Sequence, residues 1–331
     1  MKKKLIITIL CIVLLIIIPV MIVICFLKKE NSSTPNEQKN ETIKDEIKDK
    51  LISLNYSKED IILIQKYMSE ENRKRIIENE YDPKIIINLV KEDYYIDDYL
   101  FTYYEYYQDN NYSIRDVIER VNTHVNYDYY THIIPTDTSL GKYVILNKYY
   151  YADNTYPSEN MITISGEYNL YGTSFKLNQE CYEAFLKMYE DAKSNGYAFK
   201  INSAYRSYNS QEKLYNGYVA KDGVTLTDTY SARPGFSEHQ TGYTFDIRDY
   251  PLTNDDYSKT KSFTWVSENA YKYGFIIRYP KDKEEITGYQ YESWHYRYCG
   301  IECSTYIHKT GITFDEYYEY FIKYKNPKNL S

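Results

Sequence analysis

The sequence predicts an α+β domain preceded by an N-terminal transmembrane helix, a linker and a helical region. Three observations support this architecture. A long apolar run lies between lysines at the N-terminus, apolar residues recur with helical spacing over residues 49–126, and predicted helices and strands are mixed from residue 127 onwards. That mixture lacks the regular alternation of strand and helix that is typical of a doubly wound parallel sheet. The α+β class is therefore predicted for residues 127–331.

The first 29 residues form the predicted membrane segment. Residues 5–27 are uncharged and apolar, and lysines precede and follow them. This run is long enough to cross a hydrocarbon core of about 30 Å as a helix. It exceeds the ~7–15 apolar residues of a cleaved signal peptide and lacks a small-residue cleavage site. We therefore expect an uncleaved signal-anchor. Because lysines flank both ends, the positive-inside rule orients it only weakly.

Residues 30–48 are polar and charged, and they predict a flexible linker.

Residues 49–126 form the predicted helical region. Ser57 and Ser113 each precede an acidic turn and an apolar helical pattern, which is typical of helix N-caps. Pro83 predicts the start of another helix. The two similar cap-and-helix units suggest short repeats. We expect this region to pack or to present substrate, because it contains no cluster of catalytic residue types.

The predicted elements of the third region alternate irregularly. Helices are expected at 179–194, 208–218 and 265–273, and strands at 142–148, 197–203 and 275–279. Residues 286–298 are expected to continue as strand or loop.

Composition excludes one class of partner. The formal net charge is −7, whereas nucleic-acid-binding domains are usually basic, so no nucleic-acid partner is expected.

Outside the apolar run the cysteines are Cys181, Cys299 and Cys303, which are too few for a dense disulfide framework. Disulfide pairing stays open, as does a second metal site at Cys299 and Cys303, although no second cysteine pair supports it.

Two clusters carry the chemistry. His239 and Asp246 lie seven positions apart, and Glu292 and His295 follow about fifty residues later. Two imidazoles and a carboxylate are a suitable ligand set for catalytic zinc, which leaves one position open for water. The remaining carboxylate, Glu292, can then serve as a general base.

Both clusters need a bend in the chain. Residues an odd number apart on a strand point to opposite faces, so the segment between His239 and Asp246 must turn, and Gly242 can supply that turn. Phe245 and Ile247 can then face the core while Asp246 faces a cleft. Glu292 and His295 need a similar bend or one helical turn.

The chain resembles the VanY-type zinc D-alanyl-D-alanine carboxypeptidases of the LAS peptidase class, most specifically over residues 176–303. The motifs that carry the resemblance are Ser203-Ala204-Tyr205-Arg206-Ser207 with Gln211, Ser237-Glu238-His239-Gln240-Thr241-Gly242 with Asp246, Gly274-Phe275-Ile276-Ile277-Arg278-Tyr279-Pro280, and Glu292-Ser293-Trp294-His295-Tyr296-Arg297-Tyr298. The resemblance implies a small antiparallel sheet. It also implies zinc on His239, Asp246 and His295, with Glu292 as catalytic base.

The same resemblance implies a substrate site. Arg206 is expected to bind the peptide's terminal carboxylate, which suits a guanidinium because it can pair bidentately. Gln211 and Ser237 are expected to bind the peptide backbone. Thr244 and Ser293 stand where the family often has alanine and proline. Neither departure removes a ligand or the base.

The expected function is removal of the terminal D-alanine from peptidoglycan stem peptides by an enzyme anchored in the cell membrane, with its catalytic domain outside. L,D-carboxypeptidase, dipeptidase or endopeptidase action on the same wall peptides stays open, because pocket shape decides the bond. An alternative of another class is a non-catalytic protein that binds the cell wall.

Overall fold

The computed structural model describes residues 46–156, 160–172 and 174–325. Contacts divide the chain into two units, which meet in sequence between Lys91 and Glu92. This division falls inside the predicted helical region. The predicted transmembrane segment lies outside the described residues, and within those that are described no helix has the length and apolarity to cross a membrane.

The first unit is helical, as predicted. Ser57 and Asp60 form a reciprocal capping box at the start of the helix Lys58–Tyr67, and the side chain of Ser69 caps the helix Glu70–Glu78. Ile61 and Ile64 face its core together with Ile76 and Ile86. After helical residues 46–53, its helices are α1 (Lys58–Tyr67), α2 (Glu70–Glu78) and α3 (Pro83–Lys91).

The second unit is built on a four-stranded antiparallel sheet in the order β5-β6-β8-β7. This confirms the expected small antiparallel sheet. Two short pairs, β1 with β2 and β3 with β4, lie outside it. The strands are β1 (Ile134–Pro135), β2 (Tyr150–Tyr151), β3 (Met161–Thr163), β4 (Lys176–Asn178), β5 (Phe199–Ser203), β6 (Thr244–Asp249), β7 (Phe275–Ile277) and β8 (His295–Tyr298).

Helices accompany this sheet, and several agree with the sequence predictions. The helix predicted at 179–194 has those bounds, and Ser113 begins a helix with a second capping box. The helices of the second unit are α4 (Leu100–Asp109), α5 (Ile114–Asn122), α6 (Gln179–Ser194), α7 (Tyr208–Asp222), α8 (Val224–Tyr230), α9 (Lys261–Asn269), α10 (Glu284–Thr287), α11 (Ile301–Thr310) and α12 (Phe314–Tyr317).

The main core lies between α6 and the sheet. Phe185 and Met188 of α6 are fully buried and belong to the same cluster as Phe199, Phe245 and Ile247. Burial of such side chains stabilises the fold by roughly 1.5–3 kcal/mol each. The core therefore fixes one face of β6, and Asp246 between Phe245 and Ile247 is directed to the other face.

The predicted strand at 142–148 is wrong. The chain there forms a 3-10 helix, Thr138–Tyr143, followed by irregular backbone. Its polar groups bond to side chains instead of to a neighbouring strand. Arg297 donates to the carbonyl oxygens of Lys142 and Val144, and the Asn147 side chain accepts from the amides of Tyr149 and Tyr150. The apolar run Val144-Ile145-Leu146 therefore reflects burial without strand pairing.

Candidate metal centre and active site

Strand register brings two of the predicted ligands together. Asp246 on β6 is directly opposite His295 on β8 in the antiparallel ladder. Opposed residues of such a ladder have their Cβ atoms about 4.5–5.5 Å apart. The Nδ1 atom of His295 consequently lies 3.3 Å from Oδ1 of Asp246.

His239 reaches the same point from a 3-10 helix, Glu238–Thr241, that precedes β6. Gly242 ends this helix with φ +75° in the left-handed region, which confirms the predicted turn. The turn places His239 Nε2 3.5 Å from Oδ2 of Asp246. His239 Nδ1 donates to the carbonyl oxygen of Ala204 at 2.7 Å, so Nε2 keeps its lone pair towards the cluster.

The three side chains can hold one metal ion. One donor atom from each of His239, Asp246 and His295 lies within 4.8 Å of the other two, and these residues are 5–9% exposed. Oδ1 of Asp246 is buried without a hydrogen-bond partner among the described residues, which leaves its lone pairs for a metal. Two imidazoles and one carboxylate form a three-ligand site of the kind that catalytic zinc uses. The residues present therefore fit a zinc ion.

The electrostatics of the cluster favour the protonation states that bind a metal at two residues, Asp246 and His239. Burial alone would raise the pKa of Asp246, but His239, His295 and Arg206 lower it to about 2. Burial and the charge of Arg206 lower the pKa of His239 to about 3. Burial opposes protonation of His295, yet the neighbouring carboxylates of Asp246 and Glu292 raise its pKa to about 9. Asp246 is thus an anion and His239 a neutral imidazole at neutral pH.

Glu292 lies beside the cluster. A turn at residues 293–294 separates it from β8, and its Oε2 is 3.2 Å from Nδ1 of His295. The Glu292 amide donates to the carbonyl oxygen of Tyr279 at 3.1 Å, which fixes the backbone that carries it. Burial raises the pKa of Glu292, against the opposing effect of its hydrogen bond to His295. A carboxylate with a raised pKa beside a metal site is suited to proton transfer.

Arg206 faces the same cavity and is held by neutral groups. Its NH1 donates to Oε1 of Gln211 at 2.7 Å, and its NH2 donates to Oγ of Ser203 at 3.0 Å. No carboxylate of the described residues lies within ion-pair distance of this guanidinium. Its charge therefore remains available to an anionic ligand.

The other two predicted substrate residues differ in their surroundings. Gln211 is 1% exposed, and its amide nitrogen donates to the carbonyl oxygen of Ala232 at 2.7 Å. Its amide thus orients Arg206 and connects it to the loop after α8. Ser237 lines the cavity and is 5% exposed.

The cavity has a volume of about 400 Å³ and contains every predicted site residue. Charged groups gather around the metal cluster, whereas aromatic and amide side chains form the other walls. The lining includes Leu214, Tyr218, Tyr230, Ser231, Ala232, Glu238, Tyr279, Tyr289, Gln290, Tyr291 and Trp294. A short peptide with a free carboxylate fits a site of this size and polarity.

The sequence predictions missed a buried charge network beneath the metal centre. Arg278 donates to Glu238 at 2.8 Å and to both carboxylate oxygens of Asp315 at 2.6 and 2.9 Å. Arg297 lies 3.1 Å from Glu238, and both arginines are fully buried. The network supports His239 and His295 because Glu238 directly precedes His239 and Arg297 follows His295 two residues later on β8. The only sequence signal is an arginine within each apolar strand pattern.

A family comparison identifies this domain. Residues 174–301 match the family model of VanY, described as D-alanyl-D-alanine carboxypeptidase. These residues belong to the VanY family. All three metal-binding candidates, Glu292 and Arg206 lie within the VanY domain.

Individual relatives agree with this assignment. The candidate carboxypeptidase YodJ of Bacillus subtilis (strain 168) is 37% identical over 181 residues, which are 53% of this chain and 66% of YodJ. A D-alanyl-D-alanine carboxypeptidase of Enterococcus faecium is 36% identical over 165 residues, half of each chain. The chain thus spans half to about two thirds of these relatives. The solved structure of the LdcB LD-carboxypeptidase has a TM-score of 0.50 at 35% identity, over 53% of this chain and 85% of LdcB.

Proposed function

We propose that this protein is a zinc metallopeptidase that removes the C-terminal D-alanine from peptidoglycan stem peptides. The observation that carries the proposal is the convergence of His239, Asp246 and His295 in one cavity with Glu292 and Arg206. Membership of the VanY domain family supports the same reaction. The cavity combines ligands, a base and a carboxylate-binding group.

His239, Asp246 and His295 would hold the zinc ion. Bound zinc supplies Lewis-acid chemistry, because it polarises a carbonyl oxygen and lowers the pKa of water. Glu292 accepts a proton from the attacking water on its carboxylate and then donates that proton to the departing amine. Ala204 keeps the His239 ring oriented through the hydrogen bond at Nδ1. Burial of the cluster limits access of bulk water.

Arg206 selects a free C-terminus. Its guanidinium can form two hydrogen bonds to a carboxylate, and Gln211 and Ser203 already fix its plane. A peptide bound in this way presents its last peptide bond to the metal centre. The arrangement therefore favours removal of one terminal residue over cleavage within a chain.

Replacement of Glu292 by Ala tests the base. We expect turnover to fall by ~10²–10⁴-fold, which is the usual contribution of a positioned acid–base group, while zinc stays bound. Turnover is measured by release of D-alanine, and zinc content by atomic emission. Glu302→Ala is the control, because Glu302 is exposed on α11. Parental turnover in the Glu292→Ala variant would contradict the assignment of Glu292.

The bond cleaved is tested with defined stem peptides. The relative in Enterococcus faecium is named for D-Ala-D-Ala cleavage, whereas LdcB is an LD-carboxypeptidase. We propose the pentapeptide as substrate and keep L,D-cleavage of the tetrapeptide as the second candidate. Mass spectrometry of products from both peptides, with and without a chelator, separates them. Absence of any product, with peptide binding retained, would instead favour a non-catalytic wall-binding protein.

We also propose that residues 1–29 anchor the protein in the cell membrane with the VanY domain outside. The support is the apolar run between lysines at 5–27, together with a substrate that lies outside the cell. A full-length protein and a variant without residues 1–29 are compared by cell fractionation and by protease added to intact cells. Recovery of the full-length protein in the soluble fraction, or its protection from protease, would contradict the proposal.

A further inference from the structure

One buried lysine lies behind the cavity wall and has no role in the proposed chemistry. Lys148 is 1% exposed, in the irregular segment that follows the 3-10 helix at Thr138–Tyr143. Its Nζ donates to the hydroxyl of Tyr130 at 3.2 Å and to the backbone carbonyl of Asp228. The same Nζ lies 3.6 Å from the centre of the Tyr289 ring, a cation–π contact.

These contacts join two parts of the cavity wall. Asp228 belongs to the last turn of α8, where backbone carbonyls lack helical partners and a cation is favourable. The next residue, Thr229, accepts from Gln290 twice at 3.0 Å, through its backbone oxygen and its hydroxyl. Residues 289–292, which we call the 289–292 wall, are thereby bound to the end of α8. Lys148 lies at this junction.

The stem of Lys148 also fixes where the wall begins. Gly288 precedes the wall with φ +75°, and a Cβ atom there would lie 2.8 Å from Cγ of Lys148 and 3.0 Å from its Cε. The lysine stem therefore packs directly against the backbone of residue 288. Such a close approach leaves room for glycine alone.

Aromatic contacts connect the 289–292 wall to the candidate metal centre. Tyr289 packs on Tyr279 with ring centres 4.6 Å apart, and Tyr279 packs on His295 at 4.9 Å. The carbonyl oxygen of Tyr279 accepts from the Glu292 amide. A displacement of Tyr289 would thus move Tyr279, and with it both the proposed base Glu292 and the proposed metal ligand His295.

We propose that Lys148 is a positioning residue that holds the 289–292 wall against α8, so that Glu292 points at the scissile bond. The inference rests on the proposed function only for the role of Glu292. Retention of this cation has an electrostatic cost, because burial lowers the pKa of Lys148 to about 7. Replacement of a buried charge by an apolar side chain of similar size is often neutral or stabilising. Its presence is therefore better explained by placement of the wall than by overall stability.

The test uses Lys148→Met, which keeps most of the stem and removes the ammonium group. Lys200→Met is the matched control, because Lys200 Nζ also lies over a tyrosine ring, 4.1 Å from the centre of Tyr250. Neither Lys148 nor Lys200 lines the cavity. Both variants and the parent are loaded with zinc. Amide hydrogen exchange is followed at Gln290 and Glu292, with α6 as internal reference.

We expect exchange at Gln290 and Glu292 to accelerate about ten-fold or more in Lys148→Met, with α6 unchanged. On the best stem peptide, kcat should fall about ten-fold or more while KM and zinc affinity change less than about three-fold. Lys200→Met should behave as the parent. Parental exchange at both amides would overturn the inference, as would equally faster exchange in α6 or loss of zinc. A parent that cleaves no stem peptide refutes the proposed function, and the exchange result still decides whether Lys148 holds the wall.

Discussion

At the scale of single residues, Arg206 differs from the two buried arginines beneath the site, because no carboxylate of the described residues lies within ion-pair distance of it. Arg278 and Arg297 are fully buried and matched by Glu238 and Asp315. Arg206 instead contacts the neutral oxygens of Gln211 and Ser203. A guanidinium that neutral groups hold in a fixed plane beside a metal site is prepared for an anionic ligand. The exo-acting specificity that we propose depends on this one residue.

Replacement of Arg206 by Met should weaken peptide binding. A hydrogen bond to a charged group contributes ~1.5–3 kcal/mol, so kcat/KM for a free-acid peptide should fall about 10- to 150-fold. A peptide with an amidated C-terminus is the control, because it lacks the carboxylate that Arg206 would bind. Rates are measured by amine release from both peptides. An equal loss on the free-acid and amidated peptides would contradict carboxylate selection.

At the scale of elements, the metal centre depends on one ladder and one turn. The β6–β8 register sets Asp246 opposite His295, and Gly242 directs the preceding 3-10 helix so that His239 returns to them. The spacing of these residues in the chain indicates that a bend must exist. Its geometry arises only because the backbone of residue 242 takes a positive φ.

Gly242→Ala should therefore lower metal affinity. The left-handed conformation costs a residue with a Cβ roughly 1–2 kcal/mol, and relaxation of that strain would move His239 away from Asp246. Isothermal titration with zinc measures the affinity, and thermal unfolding measures stability. Gly217→Ala is the control, because Gly217 lies in α7 with open space around it, and alanine there should stabilise the helix by ~0.5–1 kcal/mol. Unchanged zinc affinity in Gly242→Ala would refute the turn's role.

At the scale of the second unit, buried polar groups connect distant segments to the sheet. Asp315 of α12 pairs with Arg278 and accepts a hydrogen bond from Asn147, and Arg297 binds the carbonyls of Lys142 and Val144. Residues on both sides of the VanY match therefore support its metal centre. Also on α12, Glu316 is largely buried next to Glu119 and Lys283.

This burial predicts a pH dependence of stability. Burial, followed by the charge of Glu119, raises the pKa of Glu316 to about 7, above the ordinary value of 4.5. Between these pH values the folded state holds more protons than the unfolded state, so the free energy of unfolding decreases as pH rises. Glu316→Gln should remove this decrease, which amounts to at most about 3 kcal/mol. The amide can still accept from the amide of Thr313 at the capping box.

Urea unfolding of the parent and of Glu316→Gln at pH 5 and pH 8 measures this effect. The variant should gain stability over the parent at the higher pH only. Glu302→Gln, on an exposed position of α11, should show no such difference. A parallel pH profile for the parent and Glu316→Gln would contradict the prediction.

The sequence by itself determined several local elements and the residue types that the proposed chemistry needs. Helix caps, the helix Gln179–Ser194 and the candidate residues His239, Asp246, Glu292 and His295 could be predicted because capping and ligand chemistry depend on residue type and short spacing. Arg206 was found by family resemblance, and the structure places it in the same cavity.

Only the tertiary structure decided the rest. Residues 142–148 contain an apolar run that resembles a buried strand, yet the carbonyl groups of Lys142 and Val144 accept hydrogen bonds from the Arg297 side chain. The partners of Lys148 lie 18, 80 and 141 positions along the chain, at Tyr130, Asp228 and Tyr289. Local periodicity carries no information about such contacts, because they form only when packing brings separate segments together. The candidate metal ligands could thus be recognised in the sequence, whereas the groups that hold them in place could not.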